Sequence, residues 1–127
     1  MADKKLILAV DDDASVCDLY ETSLAVLGYD VMCASSGGKA KEALKKRKPD
    51  VILMDIMMSD QDGISLTRDI RSDPETAHIP IIIVSGLSDA ATLNDALLFG
   101  AADYLVKPLD MDVLKGKLEH ALALKKK

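Results

Sequence analysis

The chain has no tryptophan, one phenylalanine and three tyrosines in 127 residues. That leaves little material for an aromatic platform on which bases could stack. Cysteine is scarce too: Cys17 and Cys33 stand in unrelated sequence contexts, with no CxxC pair and no histidine nearby. Free buried thiols are therefore expected, rather than a disulfide or a metal pair. No apolar stretch approaches the roughly 20 residues needed to span a bilayer. The first residues, Met1-Ala2-Asp3-Lys4-Lys5, lack the form of a signal peptide, so a cytoplasmic protein with no membrane contact is expected. Basic charge is also short, with 16 Lys and Arg against 21 Asp and Glu and a net charge of -5. That balance argues against direct binding of nucleic acid or an anionic membrane surface. The two basic runs, Lys45-Lys46-Arg47-Lys48 and Lys125-Lys126-Lys127, fit helix C-termini, where cations offset the helix dipole.

What is present is a regular alternation of apolar runs and amphipathic segments over one domain, residues 1–127. Strands are predicted at Leu6–Val10, Asp30–Ala34, Val51–Met54, Ile81–Val84 and Asp103–Val106. Between them, Val16, Leu19, Tyr20, Leu24 and Leu27 mark a first helix closed by Gly28, and a second is expected from Lys39 to Lys48 before Pro49. A third runs from about Ile64 to Ser72. A fourth is capped by Ser88 or Asp89 and ends near Phe99, and a fifth is capped by Asp110. Five such units imply an α/β fold, a doubly wound parallel sheet with helices on both faces. The strand order expected at this length is 2-1-3-4-5, a flavodoxin-like three-layer sandwich with five helices.

Short polar signals close four of these runs: Asp11-Asp12-Asp13, Asp55, Ser85 and Lys107-Pro108. In an open parallel sheet, ligands sit beyond the carboxyl ends of the strands, and the switch point falls between the first and third. Asp11, Asp12 and Asp55 would then lie side by side. Clustered carboxylates repel unless a cation joins them, and a hard oxygen-preferring cation such as Mg²⁺ fits. Asp55 could act as a nucleophile toward phosphorus, with Lys107 and a Ser85 hydroxyl meeting the transferred oxygens. Each residue alone has a plainer reading. Asp13 is expected to be only a helix cap, His78 and His120 surface residues, and Met54, Met57 and Met58 packing. Of the adjacent pair Leu98 and Phe99, one is expected to be exposed on a partner surface or buried at an edge.

Taken in order, these motifs make the chain resemble a response-regulator receiver domain, the phosphoacceptor module of two-component signalling. The resemblance spans essentially the whole chain. It rests on Val10-Asp11-Asp12-Asp13, Met54-Asp55-Ile56-Met57-Met58, Asp62-Gly63, Val84-Ser85-Gly86, Gly100-Ala101-Ala102-Asp103-Tyr104 and Lys107-Pro108. It implies that Asp55 takes phosphate from a sensor histidine kinase or a histidine phosphotransfer protein. It implies Asp12, Asp55 and the Met57 backbone carbonyl as direct Mg²⁺ ligands, with Mn²⁺ as a substitute, and Asp11 as a mainly water-mediated one. Lys107 would pair with the acceptor across a cis Lys107-Pro108 bond. Ser85 and Tyr104 would act as switch residues, changing the surface of the fourth helix, fifth strand and fifth helix toward an output domain, a target or a second copy.

Ser59 stands where this family usually has proline, Gly86 replaces a frequent alanine, and Met57 and Leu87 are apolar at positions that tune dephosphorylation. Slow autodephosphorylation is the expectation. The rival from another class is a haloacid-dehalogenase-like phosphatase, which Asp11-x-Asp13 fits superficially but which leaves Asp55 without a role. A pseudo-receiver that binds without phosphorylation would not need the intact acidic set. A flavodoxin-like electron carrier would need a phosphate-binding loop after the first strand, where acids stand instead.

Overall fold

The computed structural model describes residues 4–58, 60–86, 90–107 and 109–125. Its elements run β1 (Leu6–Val10), α1 (Ala14–Val26), β2 (Asp30–Ala34), α2 (Gly37–Lys46), β3 (Val51–Asp55), α3 (Gly63–Ser72), β4 (Ile81–Ser85), α4 (Ala90–Leu98), β5 (Asp103–Val106) and α5 (Met111–Lys125). The strands form one parallel sheet of order β2-β1-β3-β4-β5, the order expected from the alternation.

Alternate residues of each strand feed two separate cores, because successive side chains leave opposite faces of the sheet. Leu8, Val10, Ile52, Met54, Ile81 and Ile83 pack with Ala40 and Leu44 of α2, Leu66 and Ile70 of α3, and Ala96 of α4. Ile7, Ala9, Val51, Leu53, Ile82, Val84 and Leu105 pack with Tyr20 and Leu24 of α1 and Leu114 and Leu118 of α5. Both faces are covered, so the strands read as unbroken apolar runs instead of alternating ones.

The helix ends follow local chemistry. Asp13 caps α1 by accepting the Ser15 N–H at 2.9 Å, and Asp62 caps α3 through the Ser65 N–H at 2.8 Å. Asp110 accepts the Asp112 N–H at 2.9 Å at the start of α5. Gly28 and Gly100 take positive φ angles, +95° and +108°, the left-handed conformation that glycine adopts without a Cβ penalty. The basic run at the end of α2 acts as expected: Lys45 and Lys46 lie in its last turn, and Lys48 Nζ donates to the Leu44 carbonyl at 2.7 Å.

α2 departs from the expected Lys39–Lys48 span. It begins at Gly37, and by Arg47 the backbone is extended. The start is earlier because Ser36 supplies a cap to the Lys39 N–H and Asp60, from far along the chain, accepts the Gly37 and Gly38 N–H groups. The end is earlier because the extended conformation is favoured as the chain approaches Pro49. The expected caps Ser88 and Asp89 of α4 lie outside the described residues. Cys17 and Cys33 are free thiols, but their contexts are not unrelated. They are neighbours across α1 and β2, with Cys33 Sγ 3.6 Å from the Cys17 carbonyl oxygen, and burial raises both thiol pKa values.

Candidate functional site at the carboxyl ends of β1, β3 and β5

Pairing of β1 with β3 aligns Val10 with Met54, so Asp11, just past β1, and Asp55, the last residue of β3, stand side by side. Both continue the face of Ile7, Ala9, Val51 and Leu53, which looks toward α1 and α5. Oxygens of Asp11, Asp12 and Asp55 all lie within 4.8 Å of one another. Asp11 is 1% exposed and Asp55 8%, whereas Asp12 is exposed. Lys107, which follows β5, brings Nζ to 3.1 Å from Asp11 Oδ2 and 3.9 Å from Asp55 Oδ2.

One ammonium faces three carboxylates. Burial raises the Asp55 carboxyl above the usual aspartate range. Asp11 and Asp12 push it further, while Lys107 and a hydrogen bond from the Met57 N–H pull it back. Asp11 is held by the Asp13 N–H at 2.9 Å as well as by Lys107. Behind them the Tyr20 phenol is raised well above its ordinary pKa by burial, with Asp11 and Asp55 adding to the effect, so it stays neutral. Crowded oxygens of like charge at partly buried sites are what a hard divalent cation needs, and the donor set fits one.

The geometry separates residues that sequence order alone groups together. Ser85, 1% exposed, ends β4 in line with Ile81 and Ile83, on the face toward α2, α3 and α4. Tyr104 packs partly buried against that same core. The two expected switch residues therefore share one face, while Asp11, Asp55 and Lys107 share the other. Asp13 points away to cap α1. His78 and His120 are exposed. The Lys107-Pro108 bond, Ser59 and Leu87 lie outside the described residues.

Two contributors carry no obvious chemical signal in the sequence. Gly63 opens α3 so close to β3 that an added Cβ would overlap the Asp55 carbonyl, and its N–H donates to the Ile56 carbonyl at 2.7 Å. The motif Asp62-Gly63 marks the position without giving the reason. Asp60 ties the loop after β3 to α2. Only its neighbourhood in space reveals that.

A doubly wound sheet with an acidic cluster and a lysine at its switch point defines the receiver class of phosphoacceptor folds. The comparisons agree. The sequence pattern of the family described as "Response regulator receiver domain" matches residues 7–119, and the chain belongs to that family. It is 42% identical over 117 residues to the transcriptional regulatory protein ZraR of Escherichia coli K12, covering 92% of this chain and 26% of that protein. It is 38% identical over 119 residues to the probable transcriptional regulator ycf27 of Guillardia theta, covering 94% of this chain and 46% of that one. The chain thus spans between about a quarter and half the length of these relatives.

Among solved structures, a putative response regulator from Chloroflexus aurantiacus superposes with a TM-score of 0.91 at 31% identity, covering 95% of this chain and 99% of that one. The chemotaxis protein CheY4 of Vibrio cholerae superposes at 0.90 with 27% identity, covering 94% and 100%. The chain is a receiver domain of two-component response regulators, and neither the phosphatase nor the pseudo-receiver is favoured. Membership implies a histidine-kinase partner. Among the described residues, no helix is long and apolar enough to cross a membrane.

Proposed function

We propose that Asp55 accepts a phosphoryl group from the phosphohistidine of a sensor histidine kinase or a histidine phosphotransfer protein. The observation that carries this reading is a buried, charge-crowded carboxylate at a strand end with an ammonium 3.9 Å away. An Asp55 oxygen attacks phosphorus while the phosphorus–nitrogen bond to the donor imidazole breaks. The bonding pair stays on that nitrogen, which then takes a proton from solvent, and an aspartyl phosphate is left. Lys107, already shared between Asp11 and Asp55, balances charge on the transferred oxygens. Asp11, Asp12, Asp55 and the Met57 backbone carbonyl are the groups that would hold Mg²⁺, or Mn²⁺ in its place. When bound, the cation supplies further neutralisation of those oxygens.

Ser85 donates its hydroxyl to a phosphoryl oxygen from the opposite face, and Tyr104 follows into the space behind it. Pairing of Ser85 with Val106 links that movement to β5. Leu98 on α4 is 78% exposed, and Leu97 of α4, Val106 of β5 and Val113 of α5 are exposed as well. These apolar residues suit an output partner or a second copy of the chain. The Met57 side chain, 65% exposed, and Leu87 cannot orient an attacking water, so the aspartyl phosphate is long-lived. Residues 1–127 act as one cytoplasmic receiver domain.

Incubation with acetyl phosphate and Mg²⁺ is expected to add about 80 Da, the mass of one phosphoryl group. Asp55→Asn is expected to abolish the adduct, and an adduct that persists in that variant overturns the proposal. Hydrolysis of phosphate monoesters that survives Asp55→Asn but is lost in Asp11→Asn would instead support the phosphatase.

A further inference from the structure

The loop between β3 and α3 carries the Met57 carbonyl, and its two ends are fixed in different ways. Asp55, paired with Val84 in the sheet, anchors one end. At the other, Gly63 closes on the Ile56 carbonyl and Asp62 caps α3. Between them Met57 is largely exposed, although Ile56 before it is buried in the core and Met58 after it packs against that core. α2 supplies a further brace from outside the core. Asp60 Oδ1 accepts the Gly37 N–H at 3.0 Å and Oδ2 accepts the Gly38 N–H at 3.1 Å, across 23 and 22 residues of sequence. The next residue adds a second tie. Gln61 Nε2 donates to Asp69 Oδ2 at 2.8 Å, and Lys41 Nζ of α2 donates to that same oxygen at 3.2 Å. The approach is close enough that a Cβ on Gly37 would lie 2.9 Å from Gln61 Oε1 and 3.3 Å from Gln61 Cβ.

We infer that Asp60 is a positioning residue for the cation site: its two-pronged bond to the first turn of α2 holds the loop that presents the Met57 carbonyl. This rests on the metal reading proposed above. Capping alone does not require such an arrangement, since Ser36 next to the helix already serves the Lys39 N–H. A distant carboxylate satisfies the remaining first-turn donors, and in doing so it orders a loop that has no packed side chain of its own at Met57. A backbone carbonyl has no rotamers, so its direction is set by whatever fixes its peptide plane. Groups that orient metal ligands typically matter to affinity about 10- to 100-fold.

The test is Mg²⁺ titration of the full chain, followed by NMR shifts of the Asp12 and Asp55 amides, with hydrogen exchange read at Gly37 and Gly38. Asp60→Ala is expected to weaken Mg²⁺ binding about tenfold, at the low end of that range because Asp60 acts through the loop backbone. Asp60→Asn, which keeps the shape but only one acceptor oxygen, should fall between it and the parent. Labelling by acetyl phosphate should slow in Asp60→Ala at low Mg²⁺ and recover at saturating Mg²⁺. Gly37→Ala pushes on the loop from the α2 side with all charges intact and should weaken binding in the same direction. An Mg²⁺ affinity unchanged in Asp60→Ala, with faster exchange at Gly37 and Gly38, would reduce Asp60 to a helix cap and overturn the inference. A parent protein with no saturable shift at Asp12 or Asp55 would overturn the metal reading itself, and the inference with it.

Discussion

Two sets of aspartates occupy the ends of secondary-structure elements in this chain, and they differ in what faces them. Asp13, Asp50, Asp60, Asp62 and Asp110 each accept backbone N–H groups, among them Leu6 N–H on Asp50 at 2.8 Å. Their negative charge is spread over donors that the helix and strand ends would otherwise leave unpaired. The Ser15 hydroxyl and then its N–H hold the Asp13 carboxyl below its usual range, and the Gly37 and Gly38 N–H groups do so for Asp60. Asp11, Asp12 and Asp55 instead crowd one another across β1 and β3, although Asp11 also accepts the Asp13 N–H, and Asp55 is raised. An aspartate turned toward amides stabilises the fold. One turned toward other carboxylates costs stability until a cation offsets the local charge.

That contrast can be broken first at the residue joining the two sets. Gly63 follows the cap Asp62 and touches the carbonyl of the acceptor Asp55. A Cβ there has no room against backbone, so Gly63→Ala is expected to lose about 3 kcal/mol, as overpacking does. Chemical denaturation would measure it, and a loss under about 1 kcal/mol would show that α3 can slide off β3.

The next test compares one member of each set. Asp62→Ala removes a cap and should destabilise by about 1 kcal/mol while leaving Mg²⁺ affinity near the parent value. Asp55→Asn removes a buried, crowded charge and should stabilise the metal-free protein by about 1 kcal/mol, a melting rise of roughly 3 to 6 °C. Equal signs for the two variants would erase the distinction.

The smallest effect is on pH dependence. Because the Asp55 pKa is raised on folding, the folded protein binds that proton more tightly than the unfolded chain. Its contribution to stability in the metal-free protein therefore grows as pH falls through the folded pKa and levels off below the unfolded one. Subtracting the Asp55→Asn profile from that of the parent isolates this slope, and a slope of opposite sign would mean that Lys107 outweighs Asp11 and burial. Saturating Mg²⁺ should flatten or invert it.

Much of this was legible from spacing. The strand positions, their order and the five helices follow from apolar runs punctuated by Gly28, Gly100, Asp13 and Asp110, all of which act within a few residues of themselves. The acidic set and Lys107 were legible because each closes a strand, and parallel strands bring their carboxyl ends together. The start of α2 was not. Its first donors are satisfied by Asp60, and nothing local in Ser35-Ser36-Gly37-Gly38 announces an acceptor over 20 residues away. The proximity of Cys17 and Cys33 was missed for the same reason, since it depends on α1 lying over β2.

The sequence by itself determined where the sheet runs, which class of fold results and which residues gather at its switch point, because periodicity and punctuation act over short distances. Only the tertiary structure decided which aspartates face amides and which face each other. It alone put Ser85 and Tyr104 on one side of the sheet and Lys107 on the other. Lys107 meets Asp11 across 96 residues, and the sign of an electrostatic interaction depends on neighbours in space that no local pattern specifies.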